Sequence, residues 1–197
     1  LHQVGYQSVW IGEAAWNGVA ILSRVSSPVL TRSTLPGDPA DRAARYIEAA
    51  VNGVLVGCLY APNGNPQPGP KFDYKLRWLD RLAKHADELI CSGLPVVLAG
   101  DFNVVPEATD IYVTTSYDDN ALVQPAPRAA FRSLINQGWT DVLRPADAAR
   151  PVYTFWDYRR HRWERNAGLR IDHVLASPPI ASHIGGAGVE RDIRGLA

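Results

Sequence analysis

FDYKLRWLDRLAKHADELI, residues 72–90, constrains this chain more than any other stretch. It sets Leu76, Leu79, Leu82, Ala86 and Leu89 at helical spacing, so one face of a helix is apolar and must be covered. Gly93 follows as a stop signal. On either side lie short apolar runs of strand length, VLVGCLYAP (54–62) and PVVLA (95–99). The first is joined to ARYIEAAV (44–51) by Asn52-Gly53, a strong signal for a two-residue hairpin turn. GVAILS (18–23), VYTFWDY (152–158), GLRIDHVLA (168–176) and GVERDI (188–193) also read as strands. PRAAFRSLINQ (127–137), ended by Gly138, reads as a second helix. Residues 104–126 are loop-rich, and NGNPQPGP (63–70) is a Pro/Gly loop within the domain. Antiparallel hairpins mixed with helices predict an α/β sandwich of packed sheets flanked by helices, not a doubly wound sheet. No G-x-G-x-x-G or P-loop string occurs.

With 46% hydrophobic and 20% charged residues over 197 positions, the chain fits one domain with a substantial core. Lys+Arg and Asp+Glu both number 20, so any basic surface must be local. No apolar run approaches the ~20 residues of a bilayer span. Cys58 and Cys91 form no C-x-x-C pair and read as reduced thiols, which favours a cytoplasmic setting. The chain starts at Leu1 and contains no Met, so a piece of a longer protein is expected.

Four stretches put polar groups where strands end: LYAPNGN (59–65), GDFN (100–103), TFWDYR (154–159) and GLRID (168–172). Each has a plain structural reading. Tyr60 can be a core-edge aromatic, Asp101-x-Asn103 a turn former, TFW packing, and Arg170 with Asp172 a cross-strand ion pair. Their combination is harder to explain that way. An apolar strand that runs through Gly100 into Asp101 and Asn103 sets a carboxylate and a carboxamide two residues apart, which needs a further reason than a turn.

In this order, with NGVAILSR, KFDYKLRWLDRL and GLRIDHVLAS, these strings resemble the exonuclease III and abasic-site endonuclease branch of the endonuclease/exonuclease/phosphatase superfamily. GDFN alone indicates the superfamily; TFWDYR with GLRID narrows it to the DNA-repair branch. The resemblance implies a four-layer sandwich of two packed mixed β-sheets flanked by helices, incomplete within residues 1–197. It implies hydrolysis of DNA phosphodiesters with Mg²⁺ or Mn²⁺: cleavage at abasic sites and 3′-to-5′ removal of nucleotides, by a monomer acting on double-stranded DNA. Asp101 then matches the base or proton-transfer carboxylate and Asn103 the amide holding phosphate or water, both in reach of a metal. Tyr60 matches a phosphate-contacting tyrosine, with Asn63 and Lys71 nearby, although an exposed helix-start lysine is an equal reading of Lys71. Phe155, Leu169 and Ile171 match an apolar pocket for a flipped-out abasic sugar, with Trp156 beside them.

RRHRWERNAGLR (159–170) holds five arginines, including Arg159 and Arg170, against one Glu164. That local patch predicts contact with the phosphate backbone rather than a solvated hairpin tip. The family pattern has further elements that residues 1–197 lack: an N-terminal Trp-Asn-x-Asn string, a Gln-Glu pair with the main metal-binding Glu, and a C-terminal Ser-Asp-His. In the family, the residue matching Asp172 orients that histidine. His173 is not its substitute, because strand alternation sends Asp172 and His173 to opposite faces. The isolated chain is therefore expected to fold marginally and not to cut DNA. Alternatives are a superfamily phosphodiesterase acting on non-DNA substrates, or a DNA-binding fragment without turnover.

Overall fold

Asn52 and Gly53 both take positive φ, 47° and 83°, and turn β4 (Tyr46–Val51) back onto β5 (Val54–Tyr60). Two such residues match the right-handed twist of the strands they join, which is why the dipeptide specifies a hairpin. The pairing runs antiparallel from Val51↔Val54 to Tyr46↔Leu59. The computed structural model describes residues 2–144 and 151–196. From Tyr60 the chain crosses through α1 (Pro70–Cys91) to β6 (Val96–Asp101), which lies parallel to β5. β7 (Thr140–Asp141) and β8 (Asp172–Ala176) follow, with β8 antiparallel to β6 and β7 on the outside. β3 (Val29–Arg32) forms the other edge, giving a six-stranded mixed sheet in the order β3-β4-β5-β6-β8-β7.

Pro70 lies in the first turn of α1, where its fixed φ and missing N–H do no harm. The helix buries Trp78, Leu79, Leu82, Ala86 and Leu89 on one face of the sheet, together with Phe131 and Leu134 of α2 (Pro125–Asn136). The opposite face packs a second, antiparallel sheet, β1 (Gln7–Gly12) and β2 (Gly18–Ser23), through Val19 and Ile21 on Ile47 and Ala49. Two packed sheets with helices outside are thus the fold, as expected. Among the described residues, the second sheet consists of a single hairpin.

Two expected strands are corrected. VYTFWDY makes only an isolated bridge, Phe155↔Leu169. Its Thr154 hydroxyl accepts the N–H groups of Ile171 (3.2 Å) and Asp172 (3.1 Å), replacing ladder bonds with side-chain bonds. GVERDI forms no strand, and Arg191–Leu196 winds into a 3₁₀ turn. There Arg191 lies over the Trp163 ring, 4.6 Å from its centroid, and donates to the Trp163 carbonyl at 2.7 Å. Both cysteines are free, Cys58 half-buried in β5 and Cys91 exposed at the end of α1.

The helix side of β4 also holds a charge. Glu48 is 4% exposed and is hydrogen-bonded by Tyr46 Oη (2.8 Å) and His85 Nε2 of α1, with Arg32 Nε 3.4 Å away. Burial alone would raise its pKa. Hydrogen bonds from His85 and Tyr46, and the charges of His85 and Arg32, outweigh burial and hold it below the usual carboxylate value. A depressed native pKa gives stability that is complete above the unfolded value and is lost as pH falls through the native one. Stability should therefore decline as pH drops below about 4.3, the unfolded Glu value. His85→Ala should cost about 2 kcal/mol near neutrality and flatten that acid limb. Urea midpoints measured across the acid range test both, and an acid limb unchanged by His85→Ala would assign it to other carboxylates.

Candidate active site at the ends of three strands

Strand register places three polar side chains in one row. Tyr60 ends β5, Asp101 ends β6 and Asp172 begins β8, with Tyr60 paired to Asp101 and Asp101 to Asp172. Residues paired across neighbouring strands project from the same face. Tyr60 packs with Val56 and Cys58 toward β2, so all three open at the rim between the two sheets. His173 must face the other way, and it does. Its ring lies 4.5 Å from that of Phe131 and 5.4 Å from that of Phe102, and its Nε2 is 3.0 Å from the Val104 carbonyl. Burial pushes its pKa down to about 3, so it stays neutral and outside the chemistry.

Gly100 makes the turn possible. Its φ is 141°, and a Cβ there would overlap the Leu59 carbonyl oxygen on the neighbouring strand. Beyond it, Asn103 sits at φ 50° and turns back on Asp101. Its main-chain N–H donates to Asp101 Oδ1 (2.7 Å), and its Nδ2 donates to Asp101 Oδ2 (3.1 Å) and to the Ala61 carbonyl (2.8 Å). Asn63 Nδ2 donates to Asn103 Oδ1 at 3.1 Å, so the expected Asn63 joins the same cluster. Asn63, Asn65 and Asn120 continue it as an amide chain along the rim.

Burial first, and the charge of Asp172 second, push Asp101 up to about 7. Burial also raises Asp172. Beneath them lies a residue that the sequence reading passed over. Lys75 of α1 is fully buried, and its Nζ donates to the carbonyls of Asn63 (3.0 Å), Ala121 (3.2 Å) and Asn103. Burial pulls its pKa down to about 7 against the attraction of Asp101. The available signal was a lysine in register with the apolar stripe of α1, at the spacing of Leu79, Leu82 and Ala86. Arg45 was also missed: its guanidinium lies 4.9 Å from the Tyr60 ring centroid, and its Nη1 donates to the Tyr60 carbonyl at 3.1 Å. A carboxyl that changes protonation near neutrality beside a second carboxylate is suited to proton transfer.

The remaining expected residues divide. Phe155, Leu169 and Ile171 come together with Val105 and Leu122 in one apolar cluster, which Ile171 joins directly to Asp172. Trp156 packs elsewhere, edge-on to Tyr153, with its Nε1 3.2 Å from Asn166 Oδ1. Lys71 is exposed on the first turn of α1; the lysine that enters the cluster is Lys75. Arg159 is exposed at the hairpin tip, next to Arg160 in the left-handed region at φ 59°. Arg162 is held between two tyrosines, 5.3 Å from the ring centroids of Tyr112 and Tyr117.

Arg170 requires correction as a substrate contact. It is fully buried, and its guanidinium donates to Asp110 (2.9 and 3.2 Å) and Asp141 (2.9 and 3.0 Å). Arg144 donates to Asp110 from the other side at 2.9 Å. Those bonds tie the loop after β6 to β7, and they leave no donor facing a substrate. Nor does Arg170 pair with Asp172, because its guanidinium is taken up by Asp110 and Asp141.

For a divalent cation, the donors fit in kind. Asp101 and Asp172 are adjacent carboxylates whose charged forms burial disfavours, and the Asn103 amide lies against one of them. In number they are short. Among the described residues, no three His, Cys, Asp or Glu side chains are grouped to hold a metal. Asp101, Asp172 and Asn103 would be part of a coordination shell rather than all of it.

The chain is 28% identical to exodeoxyribonuclease III of Haemophilus influenzae, over 98% of this chain and 76% of that protein. A solved 3′-5′ exonuclease (NExo) from Neisseria meningitidis superposes with a TM-score of 0.93 at 36% identity, covering all of this chain and 77% of that one. An AP endonuclease from Archaeoglobus fulgidus superposes with a TM-score of 0.82 at 33% identity, covering 92% and 70%. The family model that matches spans residues 2–193, which include every side chain of the Tyr60–Asp101–Asp172 row, and by that match the chain belongs to the Endonuclease/Exonuclease/phosphatase family.

Proposed function

We propose that this protein is a divalent-metal-dependent DNA-repair nuclease that hydrolyses phosphodiesters at abasic sites and at 3′ ends. One observation carries the reading. Asp101 and Asp172 stand side by side opposite Tyr60, at the rim of a fold shared with an exodeoxyribonuclease and an AP endonuclease. Asp101, at the end of β6 beside Asp172, takes the proton from the attacking water. Asn103 fixes the carboxylate's orientation, and the exposed Asn63 that braces it presents its amide to phosphate. Tyr60, with Arg45 across its ring, offers a hydroxyl beside a fixed positive charge, which suits a phosphoryl oxygen. A bound Mg²⁺ or Mn²⁺ would neutralise charge on the phosphoryl oxygens. The half-buried Phe155, backed by the buried Leu169 and Ile171 beside Asp172, offers an apolar wall to a sugar that lacks its base.

The test is a substrate panel on the full-length protein with added Mg²⁺: duplex DNA with one abasic site, duplex DNA with a recessed 3′ end, and an inositol phosphate. Cleavage of the two DNAs alone is expected. Turnover of the inositol phosphate with DNA untouched would place the protein elsewhere in its family. A second measurement concerns the hairpin tip. Arg159→Ala with Arg160→Ala should reduce the slope of log affinity against log salt by about 0.9 per lost phosphate contact. An unchanged slope would make both arginines a solvated tip.

A further inference from the structure

The hairpin joining β1 to β2 carries a tryptophan that the chemistry above does not use. Trp16 is 94% exposed, and its backbone is in the left-handed region at φ 68°. A bulky residue in that region is strained, and it persists only where its surroundings fix it. They do so here. Glu13 N–H donates to the Asn17 carbonyl (3.0 Å), Asn17 N–H donates to the Ala15 carbonyl (3.0 Å), and Asn17 Nδ2 donates to Glu13 Oε2 (2.9 Å). The closed tip is then pinned to the body of the protein, because Glu13 Oε1 accepts the Ala44 N–H at 2.5 Å.

That pin fixes where the indole stands. Ala44 precedes Arg45, whose guanidinium covers Tyr60, and Tyr60 is paired with Asp101. The hairpin tip therefore belongs to the same rim as the reacting groups, and the segment it is pinned to carries the exposed Arg42 and the half-buried Arg45. A rigid mount, a fully presented indole and two neighbouring cations suit a nucleic acid: phosphates for the arginines and a base step for the ring.

We propose that Trp16 is a wedge that inserts into the DNA substrate at a base step beside the cleaved phosphodiester. The inference rests on the nuclease reading and adds a contact that senses stacking rather than charge. Its signature is separable from that of the arginines. Loss of an apolar wedge lowers affinity by the same factor at every salt concentration, whereas loss of a phosphate contact changes the salt slope.

The experiment measures binding without turnover, in EDTA, using duplex DNA with 2-aminopurine placed at successive positions around an abasic site. The full-length protein is compared with Trp16→Asn, since Asn tolerates the left-handed backbone that the tip requires. The native protein should raise 2-aminopurine fluorescence at one position. Trp16→Asn should abolish that rise and weaken binding about tenfold with the salt slope unchanged. Trp16→Phe should recover most of both. Affinity within about twofold of native and an unaltered fluorescence profile would overturn the wedge while leaving the nuclease reading intact. A fall in thermal stability or a change in oligomeric state on Trp16→Asn, without those DNA effects, would assign the ring to a protein contact and also overturn it. Failure of the native protein to bind DNA at all would overturn both.

Discussion

Asp101→Asn should lower turnover of abasic DNA by about 10²–10⁴-fold while leaving DNA affinity nearly unchanged. The substitution preserves shape and keeps an oxygen for the Asn103 N–H, which lies 2.7 Å away, but it gives up the acceptor for Asn103 Nδ2 at 3.1 Å and removes the group that can accept a proton. The same variant makes a second prediction of opposite sign, on stability. Burial and Asp172 hold the native pKa up near 7, above the unfolded Asp value of about 3.9. A carboxyl raised in this way contributes stability that is complete below the unfolded pKa and is lost as pH rises through the native one. Without metal, the native protein should therefore lose stability between about pH 4 and pH 7, a loss that Asp101→Asn should remove. Lower activity with equal or greater stability is the pattern of a group placed for chemistry at the expense of the fold. Turnover within a few-fold of native, together with reduced stability, would instead make Asp101 a turn former.

The parts of this molecule that followed from local pattern were legible. Asn52-Gly53 predicts its hairpin because two left-handed residues are needed there, and the α1 stripe predicts a buried face because period 3.6 allows no other. Alternation at Asp172 and His173 is enough to separate a rim carboxylate from a core imidazole. What failed did so because partners distant in sequence decide it. Arg170 reads as a surface cation within an arginine-rich run, and only the fold reveals Asp110 and Asp141 waiting for it. Lys75 reads as one more polar residue on a helix, yet carbonyls at Asn63, Asn103 and Ala121 converge on it from the loops after β5 and after β6. TFWDYR looks like a strand by propensity, but Thr154 spends its hydroxyl on main-chain N–H groups that a ladder would have used.

Gly100→Ala should prevent the protein from reaching its native state, or leave it destabilised by roughly 4 kcal/mol or more. Two costs coincide at this position. At φ 141° the backbone is in a region that L-residues rarely enter, and the new Cβ would overlap the Leu59 carbonyl across the β5–β6 ladder. Main chain, not a flexible side chain, would have to move, and it is the main chain that carries Tyr60 on one strand and Asp101 on the other. Two other glycines calibrate the effect. Gly53→Ala meets nothing within 4 Å and has only a φ of 83° to contend with, so a loss of about 1 kcal/mol is expected. Gly57→Ala meets Leu98 Cδ2 at 2.6 Å and Tyr46 Oη at 3.1 Å, side-chain atoms that can shift, so an intermediate loss is expected. Urea unfolding of the three variants should therefore rank Gly100 far above Gly57, and Gly57 above Gly53. Should Gly100→Ala fold, its nuclease activity should still fall, because relieving the clash moves Asp101 away from Asp172 and Asn103. A stable, fully active Gly100→Ala protein would mean that the bend after β6 does not set the position of the carboxylate.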